Sequence, residues 1–292
     1  MKRLRKLQPT RPDRVLHGYV YYRWTDRYMA AVRYFLARPR FGALRTFGGR
    51  WLERTHHAKV VSAEDARRLI TIEKPIEWRG LEHVVPFRVA RDIVLEAPPR
   101  IALAPCACRT VAKHAGEYDG SCGPVDVCLY VGDPIASFVA EKQEGARLIA
   151  AEEALDVLDA AAARGNVHTL WFKDASDGRM YAICNCCACC CIGMRARAEG
   201  FSPLAASGYL ATIDAERCTA CGICVRSCPF AAIELDGASA RESRVNTAAV
   251  TATRCLGCGV CTNVCPQGAI EMTRAEDGVD PLPWADAVRS LT

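Results

Sequence analysis

The sequence contains no hydrophobic run long enough to cross a bilayer. Its longest uncharged stretch, Met180 to Met194, falls short of the ~18 apolar residues that a spanning helix needs, and it is crowded with cysteine. The basic start of the chain, MKRLRKLQPTRPDR, leads into no apolar segment, so we do not expect a secretory signal. These absences predict a cytoplasmic protein, or one that lies peripherally on a membrane.

Motifs for nucleotides and for histidine-bound metals are also missing. Neither G-x-G-x-x-G nor a Walker loop occurs, so a nucleotide or flavin site is not indicated. The histidines show no H-x-x-x-H or H-E-x-x-H spacing. We therefore interpret five of the six as ordinary surface or core residues: His56, His57, His83, His114 and His168.

Cysteine, in contrast, is abundant, with 18 residues among 292. The hydrophobic fraction is 50%, so the chain can bury a core, and its length suggests two domains. A disulfide framework is typical of small secreted proteins, whereas clustered thiols in a reducing compartment usually bind metal. The composition therefore predicts a metalloprotein.

The net charge of the chain changes from positive to negative at about residue 60. Residues 1–60 hold 15 Lys and Arg against 3 Asp and Glu, a net charge of +12, while the remainder carries −7. A single helix that ends at Pro39 is predicted here, because apolar residues recur on one side of it. This stripe contains Tyr21, Trp24, Tyr28, Ala31, Val32, Phe35 and Leu36. Residues 1–60 are thus predicted to form a basic, aromatic-rich helical arm. The arm either packs its stripe on the body or docks on an anionic membrane surface or an acidic protein partner.

Residues 61–206 are predicted to form an α+β, cysteine-rich domain. Ser62 is a candidate helix N-cap, and the stretch AAEEALDVLDAAAARG predicts a helix that Gly165 stops. The segments VHTLWF and RMYAIC are typical of two strands joined by a turn at Asp177-Gly178. The second strand runs directly into a dense group of cysteines.

An internal repeat occupies residues 207–275. Two segments each combine a strand, a cysteine run that ends in Cys-Pro, a helical turn and a second strand. The first run contains Cys218, Cys221, Cys224 and Cys228, and the second contains Cys255, Cys258, Cys261 and Cys265. The polar stretch DGASARESRVNT between them is predicted to be a surface loop, and residues 276–292 are predicted to form a loose tail.

The paired C-x-x-C-x-x-C-x-x-x-C-P runs resemble the bacterial two-cluster [4Fe–4S] ferredoxin over about residues 208–273. The resemblance implies two cubanes, one held by Cys218, Cys221, Cys224 and Cys265, the other by Cys255, Cys258, Cys261 and Cys228. The spacing has a physical basis, because three thiolates in a tight loop can each meet a different iron corner. Small intervening residues would let backbone N–H groups approach the sulfides: Ala220, Gly222, Gly257 and Gly259.

Ten cysteines lie outside this module: Cys106, Cys108, Cys122, Cys128, Cys184, Cys186, Cys187, Cys189, Cys190 and Cys191. Their arrangement ahead of a ferredoxin module resembles poorly characterised 4Fe-4S ferredoxin-type proteins of anaerobes. That resemblance spans about residues 75–273 and implies no substrate. On an extended segment, Cys106 and Cys108 would point the same way. Helical spacing would place Cys186, Cys190 and either Cys187 or Cys191 on one face.

The residues alone leave open what these ten thiols bind. One or two further Fe–S clusters, zinc or another structural metal, and thiol chemistry or buried inert cysteine are the three interpretations. Arg109, next to Cys108, could stabilise a negatively charged cluster or face solvent.

The sequence as a whole predicts an α+β protein. A ferredoxin-like two-cluster module at the C-terminus follows the cysteine-rich domain and the basic arm. A cubane held by four cysteines moves one electron and has no open coordination site, so the first interpretation is an electron carrier, a polyferredoxin between redox protein partners. The alternative is a redox enzyme or activator with an unusual Fe–S or dithiol centre in the middle domain, fed by the module. No recognition-helix motif supports a nucleic-acid-binding sensor, and nucleic acid is not expected as a partner.

Overall fold

The centre of the structure is a seven-stranded sheet. The computed structural model describes residues 2–8, 10–36, 42–87, 92–235 and 247–284, so the predicted helix end at Pro39 and nearly all of the predicted DGASARESRVNT loop lie outside the described residues. The first nine strands are β1 His56–Val61, β2 Ile76–Trp78, β3 Ile93–Leu95, β4 Ile101–Pro105, β5 Asp126–Val131, β6 Arg147–Ile149, β7 Val167–Lys173, β8 Met180–Cys186 and β9 Leu204–Ala205. The sheet has the order β6-β4-β5-β8-β7-β1-β9. Its neighbours are antiparallel, apart from the parallel pair β1 and β9.

Successive side chains of strand β5 alternate between two hydrophobic cores, as the twofold period of a strand requires. In β5, Leu129 and Val131 belong to one core, while Cys128 and Tyr130 belong to the other. We call the second side the thiol face. The helices of this domain are α1 Lys2–Arg5, α2 Pro12–Arg23, α3 Thr25–Leu36, α4 Gly42–Thr55, α5 Ala63–Ile70, α6 Ala107–His114, α7 Ile135–Lys142, α8 Ala151–Ala163 and α9 Ile192–Ala198. Helices α5 and α8 supply buried side chains to the first core, whereas α1 to α3, α6, α7 and α9 supply them to the thiol face.

The basic arm packs on the thiol face of the sheet. The predicted single helix is two helices, because the backbone breaks at Trp24 between α2 and α3. Tyr21, Tyr22 and Val32 are buried in the same core as Tyr130 of the sheet. The packing interpretation of the aromatic stripe therefore holds for Tyr21 and Val32, whereas Ala31 and Phe35 of the same stripe are exposed. The proposed boundary at residue 60 lies inside β1, which pairs along its whole length with β7.

Several local predictions for the middle region are confirmed. Ser62 caps α5, since its Oγ accepts a hydrogen bond of 3.0 Å from the backbone N–H of Asp65. Helix α8 ends just before Gly165, whose φ of 74° is the left-handed conformation expected after a helix. Strands β7 and β8 pair around the predicted turn at Asp177-Gly178.

The described part of the C-terminal region contains two short antiparallel ladders and two short helices. Its elements are β10 Tyr209–Ile213, α10 Ile223–Ser227, β11 Ile233–Leu235, β12 Ala248–Val250, α11 Val260–Val264 and β13 Ile270–Arg274. Strand β10 pairs with β13, and β11 pairs with β12. Each half is therefore a strand–helix–strand unit, as the repeat predicts, and the chain as a whole is a mixed α/β structure.

The beginning of the predicted loose tail is packed against the sheet domain. Leu282 is buried in the first core, and the indole N–H of Trp284 donates a 2.6 Å hydrogen bond to Asp65. The backbone N–H of Asp280 also bonds the carbonyl of His83 at 2.8 Å. The prediction of a loose tail is thus wrong for residues 280–284, because two apolar side chains there find a complementary surface.

Candidate metal centres

The eight cysteines of the repeat lie on two structurally similar loop–helix segments. In each segment the first two thiols are on a loop, the third is on a short helix, and the fourth follows that helix. Gly222 and Gly259 form the N-caps of α10 and α11 with φ values of 70° and 76°. These left-handed positions turn the loop sharply, which glycine allows without steric cost.

Two cavities separate these eight thiols into two sets of four. One cavity, of about 370 Å³, is lined by Cys218, Cys221, Cys224 and Cys265. The other, of about 320 Å³, is lined by Cys228, Cys255, Cys258 and Cys261. Each cavity therefore combines three thiols of one run with the fourth thiol of the other. Four thiols around a cradle of this size fit a [4Fe–4S] cubane, whose usual ligand set is four thiolates.

Backbone amides reach the sulfur atoms of the fourth cysteine in each run. Ala232 N–H donates to Cys228 Sγ and Ala269 N–H donates to Cys265 Sγ, both at 3.3 Å. Such hydrogen bonds stabilise charge on the sulfur and help to set the potential of a cluster bound there. Burial raises the pKa of Cys258 and of Cys261 to about 12, so metal binding must release these protons.

The structure corrects the expected local geometry of two other cysteine groups. Strand β4 ends at Pro105, so Cys106 is the N-cap of α6 and Cys108 lies within it rather than on an extended segment. No helix runs through residues 186–191: Cys184 and Cys186 lie on β8, a turn follows, and α9 begins after Cys191. The expectation of a helical cysteine face is therefore wrong, because the strand persists into the cysteine run.

Four of the ten remaining thiols form a compact group near the surface. The Sγ atoms of Cys122, Cys187, Cys189 and Cys190 all lie within 4.8 Å of one another. The Sγ–Sγ distance is 4.0 Å between Cys122 and Cys190 and 3.5 Å between Cys189 and Cys190. Cys189 is exposed, so this four-thiol group can be reached from solvent. Its all-sulfur donor set suits zinc or an Fe–S cluster.

The other six thiols line a single larger cavity on the thiol face. They are Cys106, Cys108, Cys128, Cys184, Cys186 and Cys191, and the cavity measures about 730 Å³. Cys187 of the four-thiol group also lines it. Cys128 Sγ and Cys184 Sγ lie 3.8 Å apart on adjacent strands. Hydrogen bonds from Cys108 and Cys128 hold the pKa of Cys106 well below its ordinary value. We call these residues the six-thiol group.

Arg109 lies between the two thiol groups and is fully buried. Its guanidinium donates to the side chain of Asn166 at 3.0 Å and to the carbonyls of Asn185, at 3.2 Å, and Pro124. Burial opposes its charge, but attraction to Cys106 and Cys187 outweighs that cost and raises the pKa of Arg109 above its ordinary value. Of the two interpretations left open for Arg109, the structure excludes exposure to solvent.

Aromatic residues that line the six-thiol cavity could not be assigned from the sequence. They are Tyr21, Tyr130, Tyr181 and Trp171, and the first of these comes from the arm. Simple alternation along RMYAIC does not place Tyr181, because a register shift between β7 and β8 leaves Tyr181 and the following Ala182 in the same core. Nothing local could show that Tyr21 would reach the same cavity.

Comparison with known protein families supports the C-terminal assignment. Residues 217–269 match the family model described as a 4Fe-4S dicluster domain. No curated protein matches the chain. The chain thus carries a ferredoxin-type iron–sulfur domain. Together with the four-thiol group, this domain defines an iron–sulfur protein with an electron-transfer or redox role.

Proposed function

We propose that this protein is a polyferredoxin that relays single electrons between redox protein partners. The observation that carries the proposal is the division of the eight repeat cysteines into two four-thiol cradles, each sharing one residue with the other run. Cys218, Cys221, Cys224 and Cys265 hold one cubane in this proposal, and Cys255, Cys258, Cys261 and Cys228 hold the second. Because every ligand position is a thiolate, these centres exchange electrons and do not bind substrate.

The packing of the C-terminal module supports an electron path into the sheet domain. Leu256 and Val260, which line the second cradle, belong to the same hydrophobic cluster as Cys186 and Cys191 of the six-thiol group. Electrons would enter at the first cradle, cross to the second and continue toward the sheet domain. The protein's own contribution is to hold the centres close, exclude water and supply amide hydrogen bonds to the sulfurs.

The experiment is a metal and redox analysis of the full chain purified without oxygen. The relay proposal predicts about eight iron ions per chain from the module alone, and reversible one-electron reduction followed by EPR. Reduced protein should pass electrons to a one-electron acceptor protein at the same rate whether or not small-molecule ligands are added. Replacing Cys218 and Cys255 together with alanine should abolish that transfer. Undiminished transfer in the double variant would contradict the proposal.

A redox enzyme or activator remains the second candidate function. The observation in its favour is the six-thiol cavity, which is also lined by aromatic side chains and whose volume exceeds that of either cradle. In this alternative the C-terminal module feeds electrons to chemistry in the sheet domain. An EPR signal that changes on addition of a small ligand, while the module's signals stay constant, would favour it.

We also propose a peripheral contact with an anionic membrane surface through the arm. Lys2, Arg3, Arg5 and Lys6 are exposed, and each basic residue near an anionic surface contributes about 1 kcal/mol. The described helices include none that is both long and apolar enough to span a bilayer. We expect the protein to bind anionic vesicles at low salt and to release them at high salt. Changing these four residues to glutamine should abolish the binding. Equal binding by the variant would contradict this contact.

A further inference from the structure

We propose that the six-thiol group binds one polynuclear iron–sulfur cluster that is larger than a cubane. This inference builds on the proposed iron–sulfur function but concerns a separate site, distinct from the four-thiol group and from the two cradles of the module. The cluster is assembled from iron and sulfide, and each thiol that ligates iron gives up its proton.

The six thiols converge on one cavity from several elements of the fold. The Sγ atoms of Cys128 and Cys184 lie 3.8 Å apart on the adjacent strands β5 and β8. Cys186 is two residues beyond Cys184 on β8, and residues two apart on a strand point to the same face.

The two cradles of the same chain provide a scale for the cavity. Each is lined by four thiols and measures about 370 or 320 Å³. The six-thiol cavity is larger, at about 730 Å³. Six thiolates are more than one cubane can bind and fewer than two separate cubanes require. A single cluster in which ligands are shared is the occupant that matches the number of thiols.

The charge around the cavity favours an anionic occupant. Arg109 lines the cavity and is fully buried, and besides its bonds to neutral oxygen atoms it lies beside the thiols of Cys106 and Cys187. In the part of the chain that the structure describes, its Nε is buried without a hydrogen-bond partner. A buried guanidinium needs a compensating negative charge, and thiolates bound to an iron–sulfur cluster supply one. Arg109 is also adjacent to Cys187 of the four-thiol group. Its positive charge therefore lies between two groups of thiols that are both negatively charged when they bind metal.

Backbone and hydroxyl donors toward the six thiols complete the site. Ile192 N–H lies 3.5 Å from Cys108 Sγ at the start of α9, and Thr169 Oγ1 lies 3.3 Å from Cys186 Sγ. These groups hydrogen-bond to sulfur in the same manner as the amides at Cys228 and Cys265 in the module. Hydrogen bonds of this type orient ligands and tune the electronic properties of a bound cluster.

The test compares three full-length proteins purified without oxygen: the unchanged chain, a variant with Cys128→Ser and Cys184→Ser, and a control with Cys122→Ser and Cys189→Ser. Iron, acid-labile sulfide and Mössbauer spectra are measured. The six-thiol variant should lose more than four iron ions per chain, and the control should lose at most four. Both should keep the EPR signals of the module. Loss of four or fewer iron ions from the six-thiol variant would overturn the inference.

A second measurement needs no substitution and therefore does not depend on the folding of a variant. The unchanged protein is treated with an alkylating reagent under native conditions, before and after iron is removed with a chelator. All six thiols should be protected before removal and modified afterwards, as read by peptide mass spectrometry. Modification of any two of the six in the native iron-loaded protein would refute six-thiolate ligation. Absence of the module's own signals would instead contradict the relay proposal, so the two failures are distinguishable.

Discussion

The hydroxyl groups of Tyr21 and Tyr181 lie 2.7 Å apart, joining the basic arm to strand β8 across the wall of the six-thiol cavity. Both rings are buried, and Tyr22 packs edge-on against the same Tyr181 ring, with centroids 5.4 Å apart. The arm is therefore a structural part of the cavity as well as a charged surface. Its removal would expose the thiol face.

Truncating Tyr22 should destabilise the sheet domain. The side chain is 0% exposed, and loss of a buried aromatic ring typically costs about 3–5 kcal/mol. We expect Tyr22→Ala to lower the free energy of unfolding by about that amount in denaturant titrations followed by near-UV circular dichroism. Leu16→Ala on the same helix is the control and should cost less than about 1 kcal/mol, because Leu16 is 55% exposed. Equal effects of the two changes would show that the arm does not pack as described.

The crossed ligand sets of the module can be tested by combining substitutions. Cys265→Ala should disturb the centre that contains Cys218, since both line one cavity. Adding Cys218→Ala should then cause little further loss of iron. Adding Cys255→Ala in its place should remove the second centre as well, for a total of about eight iron ions. Iron counts that show the opposite pairing would refute the ligand assignment.

Arg109 should control the potential of the clusters that we propose for the sheet domain. Arg109→Gln removes a buried positive charge, which should make reduction of an anionic cluster harder. We expect the midpoint potential of the sheet-domain signals to fall by at least about 60 mV, equivalent to a tenfold change for one electron. Arg109→Lys should show a smaller shift because the charge is retained. The control, Arg164→Gln, changes an exposed arginine and should leave the potentials unaltered.

His57 should make the sheet domain sensitive to acid. Burial lowers the pKa of His57 from 6.5 to about 4, and its ring stacks on Phe87 with centroids 4.1 Å apart. The unfolded chain therefore binds more protons than the folded one between pH 6.5 and 4, so stability is lost as the pH falls through that window. The decrease in the free energy of unfolding that is attributable to His57 is about 2–3 kcal/mol.

The measurement is unfolding of the protein and of His57→Phe across this range of pH. The variant keeps an aromatic ring against Phe87 but cannot take up a proton, so it should lose less stability on acidification. His56, whose pKa is also lowered by burial, stays in both proteins and supplies a common background. If the free energy of unfolding falls with pH in parallel for the two proteins, the acid sensitivity is not due to His57.

Local spacing predicted the parts of the structure that depend on neighbouring residues. The cysteine runs, the cap at Ser62 and the helix stop at Gly165 are encoded within a few positions, and the structure has them. Contacts between distant residues were not accessible in this way. Cys122 meets Cys190, which is 68 residues further along the chain, and only the pairing of the strands brings them together. The predicted stripe also assumed one continuous helix, and the break at Trp24 rotates the second half.

The hydrogen bonds of Lys59 affect where electrons can enter or leave the protein. Its ammonium donates hydrogen bonds to the carbonyls of Ala206 at 2.9 Å and Asp280 at 2.8 Å, at the two ends of the C-terminal module. A domain that is attached at one end can rotate about its linker and reach several docking sites. A domain that is attached at both ends keeps a fixed orientation. The exposed side of the module therefore keeps one orientation relative to the sheet domain. In the relay that we propose, a redox partner would have to bring its own cofactor to this fixed surface, so the geometry of the encounter would depend on the partner.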